Sequence, residues 1–315
     1  MAFSKYRQII FLIALFTSFS SIGLAQDPDE PSPSSQNKQA SISQPDPSPS
    51  GVGYSFSGEV AGVSNYIWRG QRLTNDWSLQ PSGTLGIGDF SINFWGNLDL
   101  TSVNEGDSLY LPENPDAPPG GGHAGLRGQF SEVDITMSYA LYAGPASFDV
   151  GTIIYTFPNR SASLPTTVEL YGGFSLDDLF LAPGATLYVD VNETGKAAST
   201  GLYFLANAGH MFLFGHSIFP GLEISGSLGI ANNGFSQYYY GADQSGFHDV
   251  NVTLSLPISL SEHWSAGAFI SYSALLGDFR DDQYRDLSEV YLNKAGNPET
   301  YADTVWGGVS LALEF

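Results

Sequence analysis

This sequence predicts an all-β fold: a transmembrane, antiparallel, up-and-down β-barrel of about 12 strands. Three observations lead there. From Gly53 onward, apolar residues alternate with polar or small ones in segments near 54–69, 77–88, 89–101, 129–143, 146–157, 166–175, 184–193, 199–214, 221–232, 248–258, 263–275 and 303–315. A period of two puts each segment's apolar residues on one face of a strand. The links after the even-numbered segments are short ("GD", "GPA", "LDDLFLAPG", "GHSIFPG", "SEH"), whereas those after the odd ones are more often long. Such alternation of turns with loops belongs to an up-and-down barrel. Finally, the chain carries an export signature at its start and, after it, no apolar stretch long enough for a membrane helix.

The export signature occupies 1–25. Lys5 and Arg7 precede the apolar run "IIFLIALF", and Gly23 and Ala25 stand at small-residue cleavage spacing, so a signal peptide ending at Ala25 is expected. Residues 26–52 are rich in Pro, Ser and Gln and nearly devoid of large apolar side chains, the composition of a disordered linker. The barrel is expected to fill 53–315. It has no cysteine, so an exported chain would hold its fold without disulfides.

Individual strands show the two faces. "FSINFWGNLDL" sets Phe90, Ile92, Phe94, Leu98 and Leu100 against Ser91, Asn93, Asn97 and Asp99. "ATLYVDVN" sets Leu187, Val189 and Val191 against Thr186, Tyr188, Asp190 and Asn192. "DVNVTLSLPISL" opposes Val250, Val252, Leu254, Leu256 and Ile258 to Asn251, Thr253 and Ser255. Segments 146–157 and 199–214 are more blurred. Aromatic residues at strand ends suit the two girdles of a membrane barrel, and Tyr66, Trp68, Trp77, Phe90 and Trp264 are the expected members. Trp95 and Trp306 fall on the wet face by parity.

The formal charge of −21 excludes nucleic acid as a partner, because phosphate binding needs clustered Lys and Arg. The wet faces collect carboxylates: Glu59, Asp99, Asp134, Asp149, Glu169, Asp190, Glu223 and Glu314. Arg69 is the best-placed base among them. Acidic linings favour cations, but the same groups could instead fill a narrow barrel with hydrogen-bonded networks. Arg69 has two readings as well: a constriction cation that meets solute, or an ion pair that neutralises carboxylates where wall meets loop.

Other chemistry is poorly supported. Asp278, Asp281, Asp282 and Asp286 offer oxygen ligands suited to a hard cation, yet such a run is more often a solvated loop. "DVNETG" at Asp190 lacks the later ligands of a calcium loop. No Gly-x-Ser-x-Gly elbow occurs, His216–Ser217 lies in a predicted short turn, and the five histidines show no zinc-ligand spacing. Neither catalysis, metal nor cofactor is expected.

Two stretches carry a resemblance. "GVSNYIWRGQRLTN" resembles the opening strand of a poorly characterised, porin-like family of Gram-negative outer-membrane proteins, roughly Ser-x-Tyr-x-x-Arg-Gly before a polar turn. Ser64, Tyr66, Arg69 and Gly70 match, and "SGTLGIGDFSINFWGN" is similar to the Gly-rich strand pair that follows in that family. The final run, with Val309, Leu311, Leu313 and Phe315, resembles the C-terminal signal that outer-membrane barrels present to the assembly machinery; Gly307 is smaller than the usual apolar residue. The resemblance implies a bacterial outer-membrane location, periplasmic N- and C-termini, and the lipid bilayer and assembly machinery as partners. The expected function is a passive channel for small cationic or neutral solutes. The alternative is a closed structural or surface-interaction barrel without transport.

Overall fold

The structure, a computed structural model, describes residues 53–74, 76–100, 103–104, 123–124, 127–159, 166–191, 200–240, 243–277, 279 and 303–315. The expected signal peptide and linker, and the acidic run at Asp278, Asp281, Asp282 and Asp286, lie outside them.

The strands are β1 (Tyr54–Val63), β2 (Ile67–Trp68), β3 (Gln71–Arg72), β4 (Ser78–Ile87), β5 (Phe90–Asp99), β6 (Val103–Asn104), β7 (His123–Ala124), β8 (Gln129–Ala143), β9 (Ala146–Thr156), β10 (Thr167–Ser175), β11 (Gly184–Asp190), β12 (Leu202–Leu213), β13 (Gly221–Ala231), β14 (Gly246–Ser259), β15 (Trp264–Leu275) and β16 (Asp303–Glu314). A helix, α1 (Asn233–Tyr240), lies between β13 and β14. Twelve strands close into one antiparallel barrel in the order β1-β16-β15-β14-β13-β12-β11-β10-β9-β8-β5-β4. The pairs β2–β3 and β6–β7 form separate small sheets.

Every wall strand therefore pairs with its sequence neighbours in the wall, and β1 with β16 shuts the ring. At that seam Ser57 faces Glu314, Ala61 faces Ser310 and Val63 faces Gly308. Phe56 and Phe315 exchange backbone hydrogen bonds of 3.1 and 2.9 Å, so both ends of the wall reach one rim. That rim carries the links 88–89, 144–145, 176–183, 214–220 and 260–263; at the opposite rim stand the strand ends that flank 64–77, 100–128, 157–166, 191–201, 232–245 and 276–302. Gly88 and Gly144 sit at positive φ (61° and 60°), which lets the chain reverse within two residues.

The two faces are inverted relative to a water-soluble barrel. Phe94, Val150, Leu170, Leu187, Val252, Leu254, Ile270, Val309 and Leu311 are exposed on the outside. Ser91, Asn97, Asp99, Asp134, Asp149, Glu169, Asp190, Thr253 and Ser271 are buried inside. Leaving so much apolar surface uncovered opposes the ordinary direction of burial at about 25 cal/mol per Å². Bulges between Asn97 and Leu98 and between Gly229 and Ile230 shift register at the long-loop rim.

One sequence expectation fails here. The first wall strand ends at Val63, and Tyr66 and Trp68, expected in the outer girdle, turn inward and are buried in the lumen. Ser64 still pairs with Gly307 of β16, its N–H donating to the Gly307 carbonyl at 2.8 Å, but the Asn65–Gly70 stretch is not part of the opening wall strand. The other girdle candidates do lie outside at the rims: Trp77 and Trp264 are exposed, and Phe90 faces out at the start of β5.

The seam makes a direct prediction. Cysteines replacing Ala61 and Ser310 face each other, and facing antiparallel residues lie about 4.5–5.5 Å apart at Cα, within disulfide reach. Oxidation should join this pair, read as a mobility shift in an otherwise cysteine-free chain. A crosslink of Ala61→Cys to Gly308→Cys instead would mean a slipped register.

Candidate functional site

The lumen has two unlike halves. Toward the short-turn rim many polar side chains remain partly accessible, among them Ser57, Glu59, Ser82, Thr84, Asn93, Asn207, Ser225, Glu223, Ser310 and Glu314, whereas Ser91, Ser138, Ser147, Ser175 and Ser255 are buried. Toward the long-loop rim the interior is packed by Tyr66, Trp68, Leu73, Trp95, Ile153, Tyr155, Tyr171, Tyr188, Tyr203, Phe235, Leu275 and Phe279. The first half is a wet acidic vestibule. The second is an aromatic layer across the barrel.

Two insertions build that layer. The first is a finger made from the link between β1 and β4. Its stem is closed by Leu73 N–H to the Tyr66 carbonyl (2.7 Å) and by Tyr66 N–H to Thr74 Oγ1 (2.8 Å). In the β2–β3 pair Trp68 faces Gln71, which leaves Arg69 and Gly70 as a two-residue tip. Both are at positive φ (47° and 79°), the requirement of a type I′ hairpin turn. Glycine meets it freely; arginine there is strained. Gly70 is also needed for space, since a Cβ would come within 2.5 Å of Asp249 Cβ and 3.0 Å of Leu275 Cδ2.

The second insertion is α1. Asn232 caps it: Oδ1 accepts the Phe235 N–H at 2.9 Å. The same side chain accepts from Leu202 N–H and donates to the Thr200 carbonyl, each at 2.8 Å, tying the helix start to the beginning of β12. Phe235 and Tyr239, four residues apart on one helix face, then meet Trp68 at ring distances of 6.0 and 4.9 Å.

At the finger's tip Arg69 crosses the lumen. Its Nη1 and Nη2 donate to the two Glu169 oxygens at 2.7 Å each, with side chains only 9% and 1% exposed. Glu169 is on β10, separated from β1 by β4, β5, β8 and β9, which places it nearly opposite the finger's root. Glu169 Oε2 also accepts from Tyr155 Oη at 2.8 Å. Four rings surround the guanidinium: its carbon lies 4.6 Å from the Trp68 centroid, 4.6 Å from Tyr188, 4.2 Å from Tyr203 and 5.2 Å from Phe235. A charge this enclosed needs both a paired carboxylate and face-on rings in place of water.

The other carboxylates of the layer are mostly held by phenols and hydroxyls. Tyr66 Oη donates to Glu132 (3.0 Å), Tyr203 Oη to Asp249 (2.9 Å), and Thr167 Oγ1 and Tyr239 Oη both to Asp190 (2.7 and 2.5 Å). Lower down, Tyr171 Oη donates to Asp149 at 2.8 Å. Asp134 differs: it is fully buried on β8, and neither carboxylate oxygen has a hydrogen-bond partner among the described residues.

The structure places Glu59, Asp99, Asp134, Asp149, Glu169, Asp190 and Glu223 on the inner face with Arg69 among them, but not as one lining. Asp99, Asp134, Glu169 and Asp190 belong to the long-loop half and are buried. Glu59, Glu223 and Glu314 belong to the vestibule. Reasoning from sequence missed Glu132, which shares Asp134's parity. It placed Tyr188 on the wet face without giving it a role, and passed over Tyr155 and Tyr203, which lie in the two blurred segments, and α1, which the cap residue Asn232 announces. Among the described residues no group of three or more His, Asp or Glu side chains is arranged to hold a metal ion.

No protein-family model matches the chain, and no curated protein matches it. Among solved structures it is similar to the NanC porin, with a TM-score of 0.48 and 11% identity over 82% of this chain and 100% of that one. It is also similar to the KdgM porin (TM-score 0.41, 8% identity, 83% and 99%) and to an outer membrane channel from Pseudomonas putida F1 (0.42, 11%, 87% and 100%). Likeness at this level adds nothing beyond the barrel architecture described above.

The central pair can be tested by a double-mutant cycle. Arg69→Met or Glu169→Gln alone strands a buried partner and should cost about 3–5 kcal/mol of folding free energy, whereas the double variant should cost clearly less than the sum. Urea unfolding of the refolded barrel measures this. Effects that add to within about 0.5 kcal/mol would show that the two side chains do not interact.

Proposed function

We propose that the protein is a barrel of the bacterial outer membrane whose acidic lumen is a narrow passive path for small cationic or neutral solutes. The membrane assignment rests on the apolar outer face, which recurs on strands all round the ring. A continuous exposed apolar surface of that kind suits hydrocarbon rather than water. Short turns face the periplasm in such barrels and longer loops face outward, so both wall ends would be periplasmic. Trp77, Phe90 and Trp264 would sit at the lipid–water boundaries. Val309, Leu311 and Leu313 on the outer face of β16, with Phe315 just beyond it, would be the surface offered to the assembly machinery.

The path assignment rests on the vestibule. Glu59 and Glu223 line it without a facing base among the described residues, Glu314 joins them at the rim beside His263, and carboxylates near a narrow water path draw cations. The aromatic layer at Arg69 is then the constriction. That same layer favours a second reading, a closed barrel without transport, because it joins opposite walls through buried side chains.

Conductance of the refolded protein in planar bilayers separates the two. The path reading expects a small, cation-selective conductance. Replacing Glu59, Glu223 and Glu314 by glutamine should move the reversal potential in a salt gradient toward zero, and more so at low salt, because at about 1 M the screening length is only roughly 3 Å. Folded protein that carries no current would overturn the path and leave the closed barrel.

The membrane assignment has its own test. Val252, mid-strand on the outer face and 49% exposed, should not tolerate arginine: the cost at the bilayer centre is about 2–4 kcal/mol, against about 0–1 kcal/mol near the interface, where Tyr54 lies. Equal losses for Val252→Arg and Tyr54→Arg, measured by urea unfolding in lipid vesicles, would contradict a lipid-facing belt.

A further inference from the structure

Much of the receptor for Arg69 belongs to the barrel wall rather than to the finger. Tyr155, Glu169, Tyr188 and Tyr203 stand on β9, β10, β11 and β12, four consecutive wall strands. Phe235 comes from α1, which Asn232 fastens to the start of β12. Of the groups gathered at the guanidinium, Trp68 alone shares the finger with Arg69. This wall patch has the chemistry of a guanidinium receptor: a carboxylate oriented by Tyr155 for two parallel N–H donors, and ring faces that attract a weakly hydrated cation.

We propose that this patch is a binding site for solutes bearing a guanidinium or ammonium group, occupied in this structure by the chain's own Arg69 as a tethered competitor. The inference rests on the reading of the lumen as a solute path and names the class of solute the path would select. Three further features support it. The tip residue that fills the site is held at positive φ, where a residue other than glycine is strained, so withdrawing it relieves strain. Asp190 and Asp249 share the layer with Glu169, so the field there favours a cation and disfavours a carboxylate. The vestibule lies on the short-turn side of the layer, where Glu59 and Glu223 would concentrate cations. The preferred solutes are therefore planar cations without a carboxylate, ahead of zwitterions and well ahead of anions. Methylguanidinium should bind better than methylammonium, because only the former can engage both Glu169 oxygens.

The test is calorimetric titration of methylguanidinium into the folded, detergent-solubilised full chain. Removing the competitor with Arg69→Ala should tighten binding by about tenfold or more over the unmodified protein, and adding Glu169→Gln to that variant should abolish the gain. Gly70→Ala keeps Arg69 but drives a Cβ to 2.5 Å from Asp249 Cβ, so it should push the tip back and also tighten binding. Should Arg69→Ala not fold, Gly70→Ala carries the test. Folded variants that bind methylguanidinium no better than the unmodified protein would overturn the proposal and leave Arg69 as a structural bridge alone. Bilayer recording distinguishes this failure from failure of the path. A current that methylguanidinium does not reduce overturns the site and keeps the path. Calorimetric binding without any current keeps the site and overturns the path.

Discussion

Closure of the wall is the constraint on which everything else rests. A strand edge facing an apolar exterior would leave its N–H and C=O groups with neither water nor partner. The β1–β16 ladder removes that edge, and the backbone exchange between Phe56 and Phe315 carries it to the rim. An even number of antiparallel strands then returns the chain to the rim where it began. Short links collect there, and from the other rim the finger at 64–74 and α1 enter the lumen.

What enters is selected by electrostatics. The inner face of the long-loop half carries Asp99, Glu132, Asp134, Glu169, Asp190 and Asp249, all buried. Buried carboxylates need donors, and for most of them, Asp134 excepted, the layer draws these from phenols on the wall, on the finger and on α1. Arg69 supplies a full positive charge at the centre. The aromatic rings close the remaining space, as they also separate the guanidinium from water. The finger and the helix are thus less an accessory than the means by which an acidic lumen can be packed. In the vestibule the carboxylates keep access to water and no such packing arises.

The parity of the strands carried most of the fold. "FSINFWGNLDL" and "DVNVTLSLPISL" were readable as half-apolar strands, and their inner and outer residues stand where the alternation places them. The same parity placed every carboxylate of the expected lining on the inner face. It failed at 65–72, where "NYIWRGQR" continues a strand-like pattern but leaves the wall. The Arg69–Gly70 tip was the only local sign of a turn, and an arginine at the first turn position hides it, since asparagine or aspartate is usual there. Tyr66 and Trp68 therefore looked like rim aromatics when they are lumen ones.

By itself the sequence determined the approximate strand number and the two faces, which follow from the period-two direction of Cβ along an extended chain, and the alternation of turns with loops, which follows from the lengths of the links between periodic segments. Only the tertiary structure decided which residues make the site. Arg69 and Glu169 lie 100 positions apart, and Tyr203 and Asp249 lie 46 apart. Nothing local couples them. They meet because the closed wall brings β10 opposite β1, and because a buried guanidinium finds there a carboxylate and aromatic faces in place of water.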